Sequence, residues 1–178
     1  MPSIDQMIEN TIGKEGGYVN NKADLGGPTR WGITEAVARR NNYKGDMRDL
    51  PRATAVAIYR QEYAIKPGFA AVAEIYPLVG EELFDTGVNM GPARPAIWLQ
   101  EWLNALNGGG KHWRDLKEDG AIGAITLSAL RSYKALRGAE GERRLLKALN
   151  ASQGERYKRI AQANPSQEAF LYGWLGRL

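Results

Sequence analysis

Five glycines fall inside the stretch Glu15-Gly-Gly-Tyr-Val-Asn-Asn-Lys-Ala-Asp24-Leu-Gly-Gly-Pro-Thr29-Arg-Trp-Gly-Ile-Thr34. In a helix or strand interior each glycine costs about 0.5–1 kcal/mol relative to alanine, because it loses the most backbone freedom on folding. Such density excludes one continuous element here. It calls instead for tight turns, or for backbone that approaches a ligand closely. The stretch also carries two carboxylates, Glu15 and Asp24, and the hydroxyl of Thr29. It reads as an active-site loop or short β-hairpin around which the rest of the chain must build a frame.

That frame is helical. Ser3 and Gln6 form a capping-box pattern, and Ile4, Met7, Ile8, Thr11 and Ile12 then share one face. Gly16-Gly17 stops this helix and leaves Glu15 in its last turn. Thr34 caps a short helix from Glu35 to about Arg40. Pro51 suits the first turn of a helix running through Ala55, Val56, Ile58, Tyr59 and Tyr63 to a stop at Pro67-Gly68. A short apolar linker leads to a helix carrying Val79, Leu83, Phe84 and Val88, which ends near Asn89-Met90-Gly91. Pro92 opens another with Ile97, Trp98, Leu99, Trp102, Leu103 and Leu106, whose two tryptophans read as core.

Asp119 to Gly123 reads as a turn feeding a helix with Ile122, Ile125, Leu127 and Leu130 facing inward. A long helix from about Glu140 to Ala163 sets Leu145, Leu146, Leu149, Tyr157 and Ile160 on one stripe, with Lys147, Arg156, Lys158 and Arg159 among its polar positions. The apolar tail Phe170, Leu171, Trp174 and Leu175 is expected to pack back on the body. No βαβ alternation appears. The fold class is mainly α, helical with one small β element near residues 18–32.

Charge divides the chain. Residues 1–90 carry 10 Lys/Arg against 12 Asp/Glu, and residues 91–178 carry 14 against 8. With the break at Gly91-Pro92 this suggests two parts, 1–90 and 91–178, free to share one core because no polar linker separates them. The basic second part favours an anionic partner, and nucleic acid, an acidic wall polymer and anionic lipid all meet that description. Cysteine is absent and His112 is the only histidine. Thiol nucleophiles, thiolate metal sites and two-histidine zinc sites are thereby excluded, and neither a metal nor a cofactor is expected. The N-terminus has neither a basic start nor an apolar run of signal-peptide length, so synthesis in the cytoplasm is expected.

Two carboxyls in different surroundings can divide acid and base work. One held in a partly apolar spot keeps its proton and delivers it to a leaving oxygen, while a wetter one stays ionised. Glycosidic bond cleavage requires that division. Glu15, backed by the apolar face of the first helix and close to Tyr18, is the candidate acid. Asp24, beside Asn20, Asn21 and Lys22, is the candidate ionised partner, and Thr29 could hold a water or a substrate hydroxyl. Against this stands the plain reading that a glutamate at a helix end and an aspartate in a turn occur on any surface.

The run from Glu15-Gly-Gly-Tyr to Arg-Trp-Gly-Ile-Thr34 closely resembles the N-terminal signature of glycoside hydrolase family 108, phage-type N-acetylmuramidases found as endolysins and as wall-cutting enzymes linked to protein export. Asp119-Gly-Ala-Ile-Gly-Ala-Ile-Thr-Leu-Ser-Ala-Leu130 resembles the peptidoglycan-binding module that usually follows in that family. The resemblance implies a lysozyme-like fold, with residues 1–90 as the catalytic muramidase part and 91–178 as the wall-binding part. It implies hydrolysis of the β-1,4 bond between N-acetylmuramic acid and N-acetylglucosamine, with Glu15 as general acid. Asp24 sits at the Glu-to-Asp spacing of better known phage lysozymes, and Thr29 falls one residue short of their threonine.

Phe84 to Gly91 resembles the helix end that meets sugar N-acetyl groups in such folds, which makes Asn89 a binding candidate. Gln100, one helix later, either reaches the same groove or is an exposed helix polar. Tyr18 and Trp31 either wall the sugar site or, for Trp31, plug the hairpin onto the core. The implied partner is the peptidoglycan glycan strand, met by a monomer, with no nucleic acid. The basic C-terminal helix is also a candidate for anionic membrane or lipopolysaccharide. A leaderless endolysin implies release to the periplasmic wall through a holin or an equivalent. Alternative readings are a non-catalytic wall-binding or export-assisting protein and a lytic transglycosylase.

Overall fold

A computed structural model describes residues 4–14, 17–20 and 27–178. Among these, eight helices surround one small sheet. Helix α1 (Ile4–Lys14) precedes strands β1 (Tyr18–Val19), β2 (Thr29–Arg30) and β3 (Ile33–Thr34), which pair antiparallel in the order β1-β2-β3. Tyr18 lies opposite Arg30, and Thr29 opposite both Val19 and Thr34. The third strand extends the expected β element. Trp31 and Gly32, at φ 54° and 73°, make the turn between β2 and β3.

Helix α2 (Glu35–Arg40) starts as the sequence indicates, with the Thr34 hydroxyl accepting the Val37 amide at 3.4 Å. Helix α3 (Arg52–Tyr59) has Pro51 as its extended N-cap and passes without a break into a π-helical stretch, Arg60–Ile65. The wider turn shows in the Lys66 amide, which donates to the Gln61 carbonyl.

The expected apolar linker is itself a helix, α4 (Phe69–Ile75). Phe69, Val72 and Ile75 recur every third residue and are all buried, a stripe too short to stand out in sequence. It packs closely on α5 (Pro77–Met90), where a Cβ on Gly80 would lie 2.5 Å from the Ala73 Cα. The N-terminus of α5 is capped from a distance, as its Leu78 amide donates to the buried Glu142 carboxylate at 2.7 Å. Exposed backbone donors and the helix dipole both favour an anion there.

Helix α6 (Ala93–Ala105) carries three amide side chains, Gln100, Asn104 and Asn107, spaced four and three residues apart along its axis and the loop just beyond it. They staple the irregular segment that follows. Asn104 exchanges two hydrogen bonds with the Leu116 backbone, and Asn107 accepts the Gly110 amide at 2.8 Å. Helix α7 (Ala124–Ala163) is broken at Gly138, whose φ of 56° and ψ of −148° leave the helical region. The break is held by two phenols, Tyr76 donating to the Gly138 carbonyl at 2.7 Å and Tyr133 to that of Gly141 at 3.1 Å.

In the first turn of α7 the inward position belongs to Thr126, and Ile125, expected to face inward, is 78% exposed. The tail forms helix α8 (Glu168–Leu175). It packs back only in part. Trp174 is half-buried against Tyr157, whereas Phe170, Tyr172 and Leu175 remain exposed.

The core has two centres. One gathers α1, β3, α2 and α3; the other gathers α4, α6 and α7. Helix α5 serves both, turning Phe84 into the first and Val79 and Leu83 into the second.

Candidate active-site cleft

Glu15 and Asp24 lie outside the described residues, as do Asn21 and Lys22. The structure does describe the frame on either side of them. A cavity of about 170 Å³ opens where α1, the sheet turn, α5 and the C-terminus meet, lined by Thr11, Gly32, Tyr59, Asp85, Val88, Asn89 and Arg177. Thr11 lies in the last full turn of α1, its hydroxyl donating to the Met7 carbonyl at 2.9 Å. Buried Tyr59 donates to the Trp31 carbonyl at 3.1 Å and so fixes the turn over the cavity. Asp85 and Arg177 pair across it at 3.6 Å.

Asn89, the binding candidate at the end of α5, is among the residues that line the cavity. Its amide donates to the Tyr157 hydroxyl at 2.9 Å, which joins the end of α5 to α7. Tyr157 also receives the Gln153 amide at 3.1 Å, and burial pushes its phenol above the usual range.

Trp31 takes the plug role. Its indole N–H donates to the Leu50 carbonyl at 3.0 Å, its ring packs on the first core centre, and the Arg30 guanidinium lies 5.5 Å over its face. A ring so covered is not a free stacking wall. Tyr18 is 40% exposed and lines a different cavity, with Pro28, Glu35, Arg39, Asp46, Met47 and Arg48. There the Arg48 guanidinium holds the Asp46 carboxyl down at about 2. Thr29 lies on β2 with its hydroxyl donating to the Gly27 carbonyl at 3.1 Å.

Gln100 is neither an exposed polar nor a groove residue. It is 1% exposed, its carbonyl accepts the Gly120 amide at 2.8 Å, and its amide reaches Asp119, the Ala121 carbonyl and Thr126. Helix α6 thereby holds the Asp119-Gly-Ala-Ile-Gly turn in place. The Ala121 amide and the Gln100 side chain together lower the Asp119 carboxyl below its ordinary value.

Glu82 has no place in the sequence reading. It lies one turn before Asp85 and Thr86 on α5, and burial raises its carboxyl to about 7, partly offset by the Thr86 hydroxyl donating at 2.9 Å. The sequence signal was its position three residues after Val79 on the buried face of the helix, where a glutamate is out of place. The basic stripe of α7 offers less free charge than its composition implies. Arg143 and Arg144 pair with Glu140, and Lys158 and Arg159 with Glu155.

Among the described residues no cluster of three or more His, Asp or Glu side chains could hold a metal ion. None of the described helices is long and apolar enough to cross a membrane.

Residues 8–91 match the family model described as Glycosyl hydrolase 108, and residues 94–178 match the model described as Predicted Peptidoglycan domain. The solved structure of Brucella abortus SagA is similar in fold, with a TM-score of 0.62, 23% identity, and coverage of 97% of this chain and 95% of that one. No curated protein matches the chain. The two adjoining matches account for nearly the whole sequence: its first half is a glycosyl hydrolase 108 domain and its second a peptidoglycan domain, the make-up of a peptidoglycan hydrolase of the muramidase type.

Proposed function

We propose that Glu15 is the general acid of this hydrolase and Asp24 the carboxylate that stays ionised beside it. Glu15 protonates the oxygen that links N-acetylmuramic acid to N-acetylglucosamine. The bond to the muramic C1 then breaks, water supplies the new hydroxyl there, and a reducing N-acetylmuramic end is released. Thr29 is proposed to position that water. Asn89 offers an amide to the sugar N-acetyl groups, and Tyr18 adds an aromatic surface at the far side of the sheet.

The observation that carries this reading is the cavity of about 170 Å³ lined by Thr11 and Asn89. Thr11 stands four residues before Glu15 in the chain, at the end of the helix that leads to it. Residues 1–90 act as the catalytic part and 91–178 as the wall-binding part, in a monomer that is made in the cytoplasm and reaches the periplasmic wall by a holin or an equivalent route.

Mass spectrometry of fragments released from purified peptidoglycan tests the assignment. Wild type should release reducing muramic ends, and Glu15→Gln almost none. Anhydro ends would identify a transglycosylase. Wall binding by both proteins without sugar release would leave a binding protein on a lysozyme-like frame.

A further inference from the structure

A second cavity, of about 250 Å³, shares Asn89 with the cleft and is lined by Arg94 from α6, Arg156 from α7 and Trp174 from α8, with Tyr157 at its side. Trp174 is held by its neighbours, its ring 5.4 Å from Tyr157 and 6.3 Å from Phe170. The two arginines differ from the other cations of this region. Arg143, Arg144, Lys158 and Arg159 all have carboxylate partners, whereas Arg94 and Arg156 have none among the described residues, and no carboxylate lines the cavity.

Two unpaired guanidinium forks beside an aromatic ring and an amide make a donor-rich, acceptor-poor site. Guanidinium matches a planar carboxylate in bidentate fashion, and the indole suits the apolar face of a sugar or a short peptide. Resting on the reading that the chain acts on peptidoglycan, we infer that this cavity is a subsite for a carboxylate carried by N-acetylmuramic acid. That carboxylate is either the lactyl group of a bare strand or one on the attached stem peptide. N-acetylglucosamine carries none. The subsite thus tells the two alternating sugars apart, and Asn89, common to both cavities, links that recognition to the cleft.

Binding of single-sugar ligands tests this apart from turnover, since none contains the bond to be cut. The full chain is titrated with N-acetylmuramic acid, with N-acetylmuramyl dipeptide and with neutral N-acetylglucosamine, following the Trp174 indole signal by NMR. At least one acidic ligand should bind about 10-fold more tightly than N-acetylglucosamine, as a charge-assisted hydrogen bond implies. The Arg94→Ala/Arg156→Ala double variant should abolish that preference while keeping the wild-type melting temperature, because both side chains are exposed. A preference for the dipeptide alone identifies the stem peptide as the source, and a preference for N-acetylmuramic acid alone identifies the lactyl group, whose carboxyl is amide-bonded in the dipeptide; equal preference for both acids shows that the subsite takes either carboxylate.

Equal binding of all three ligands, or a preference that survives the double variant, overturns the inference. A protein that prefers the acidic ligands yet releases no wall fragments would instead sink the hydrolytic assignment of Glu15 and leave this subsite standing.

Discussion

The amide of Asn89 donates to the hydroxyl of Tyr157 at 2.9 Å, and this bond joins the glycosyl hydrolase half of the chain to the peptidoglycan half between two adjacent cavities. The same hydroxyl receives the amide of the fully buried Gln153, whose own carbonyl oxygen has no partner among the described residues.

Tyr157→Phe should therefore cost on the order of 2–3 kcal/mol, since it leaves the whole Gln153 amide unsatisfied in the interior. Urea unfolding measures the loss. Asn89→Ala, at an exposed position with water at hand, should cost less than about 1 kcal/mol. Equal costs would show that the Gln153 contact carries no weight.

Gln100→Leu keeps the volume but removes the acceptor for the Gly120 amide and the donor to Asp119. Destabilisation of about 2–4 kcal/mol is expected, because the groups left behind are shielded from water. Limited proteolysis should find the 119–123 turn first. A variant as stable as wild type would restore Gln100 as a candidate for the sugar groove.

Two glycine substitutions should move stability in opposite directions. Gly80→Ala drives a methyl into the Ala73 backbone and should cost at least about 2 kcal/mol, since two packed helices would have to separate. Gly13→Ala in α1 meets nothing within 4 Å and should gain about 0.5 kcal/mol through a less flexible unfolded chain. Thermal melts of both variants check the pair.

Glu82 sets a pH dependence. Its carboxyl holds a proton to about pH 7 in the folded chain, against an ordinary value of 4.5. Between those values the folded state binds more protons than the unfolded one, so Glu82 makes stability fall as pH rises from about 4.5 to about 7. Glu82→Gln should remove that slope and leave the protein more stable at pH 8, by on the order of 2 kcal/mol. Denaturant titrations across this range decide it. An unchanged profile would place the ionised carboxylate in contact with water.

Sequence by itself determined the mainly helical class, most of the helices, though not α4 or α8, and the glycine-dense turn region, because periodicity and residue type are local properties that survive without coordinates. Ile8 and Ile12 repeat at helical spacing, Thr34 precedes Glu35 at a cap, and the pair Gly16-Gly17 disfavours a helix, whatever the rest of the chain does. Tertiary structure alone decided which polar groups are spent inside. Gln100 reads either as a groove residue or as an exposed helix polar until the Asp119 turn folds over it. Trp31 reads equally as a sugar wall or a core plug until its indole meets the Leu50 carbonyl, and nothing in the sequence marks Glu142 as the cap of α5 from 64 residues away. These roles depend on partners far along the chain, and a buried polar group is fixed by the partner it meets.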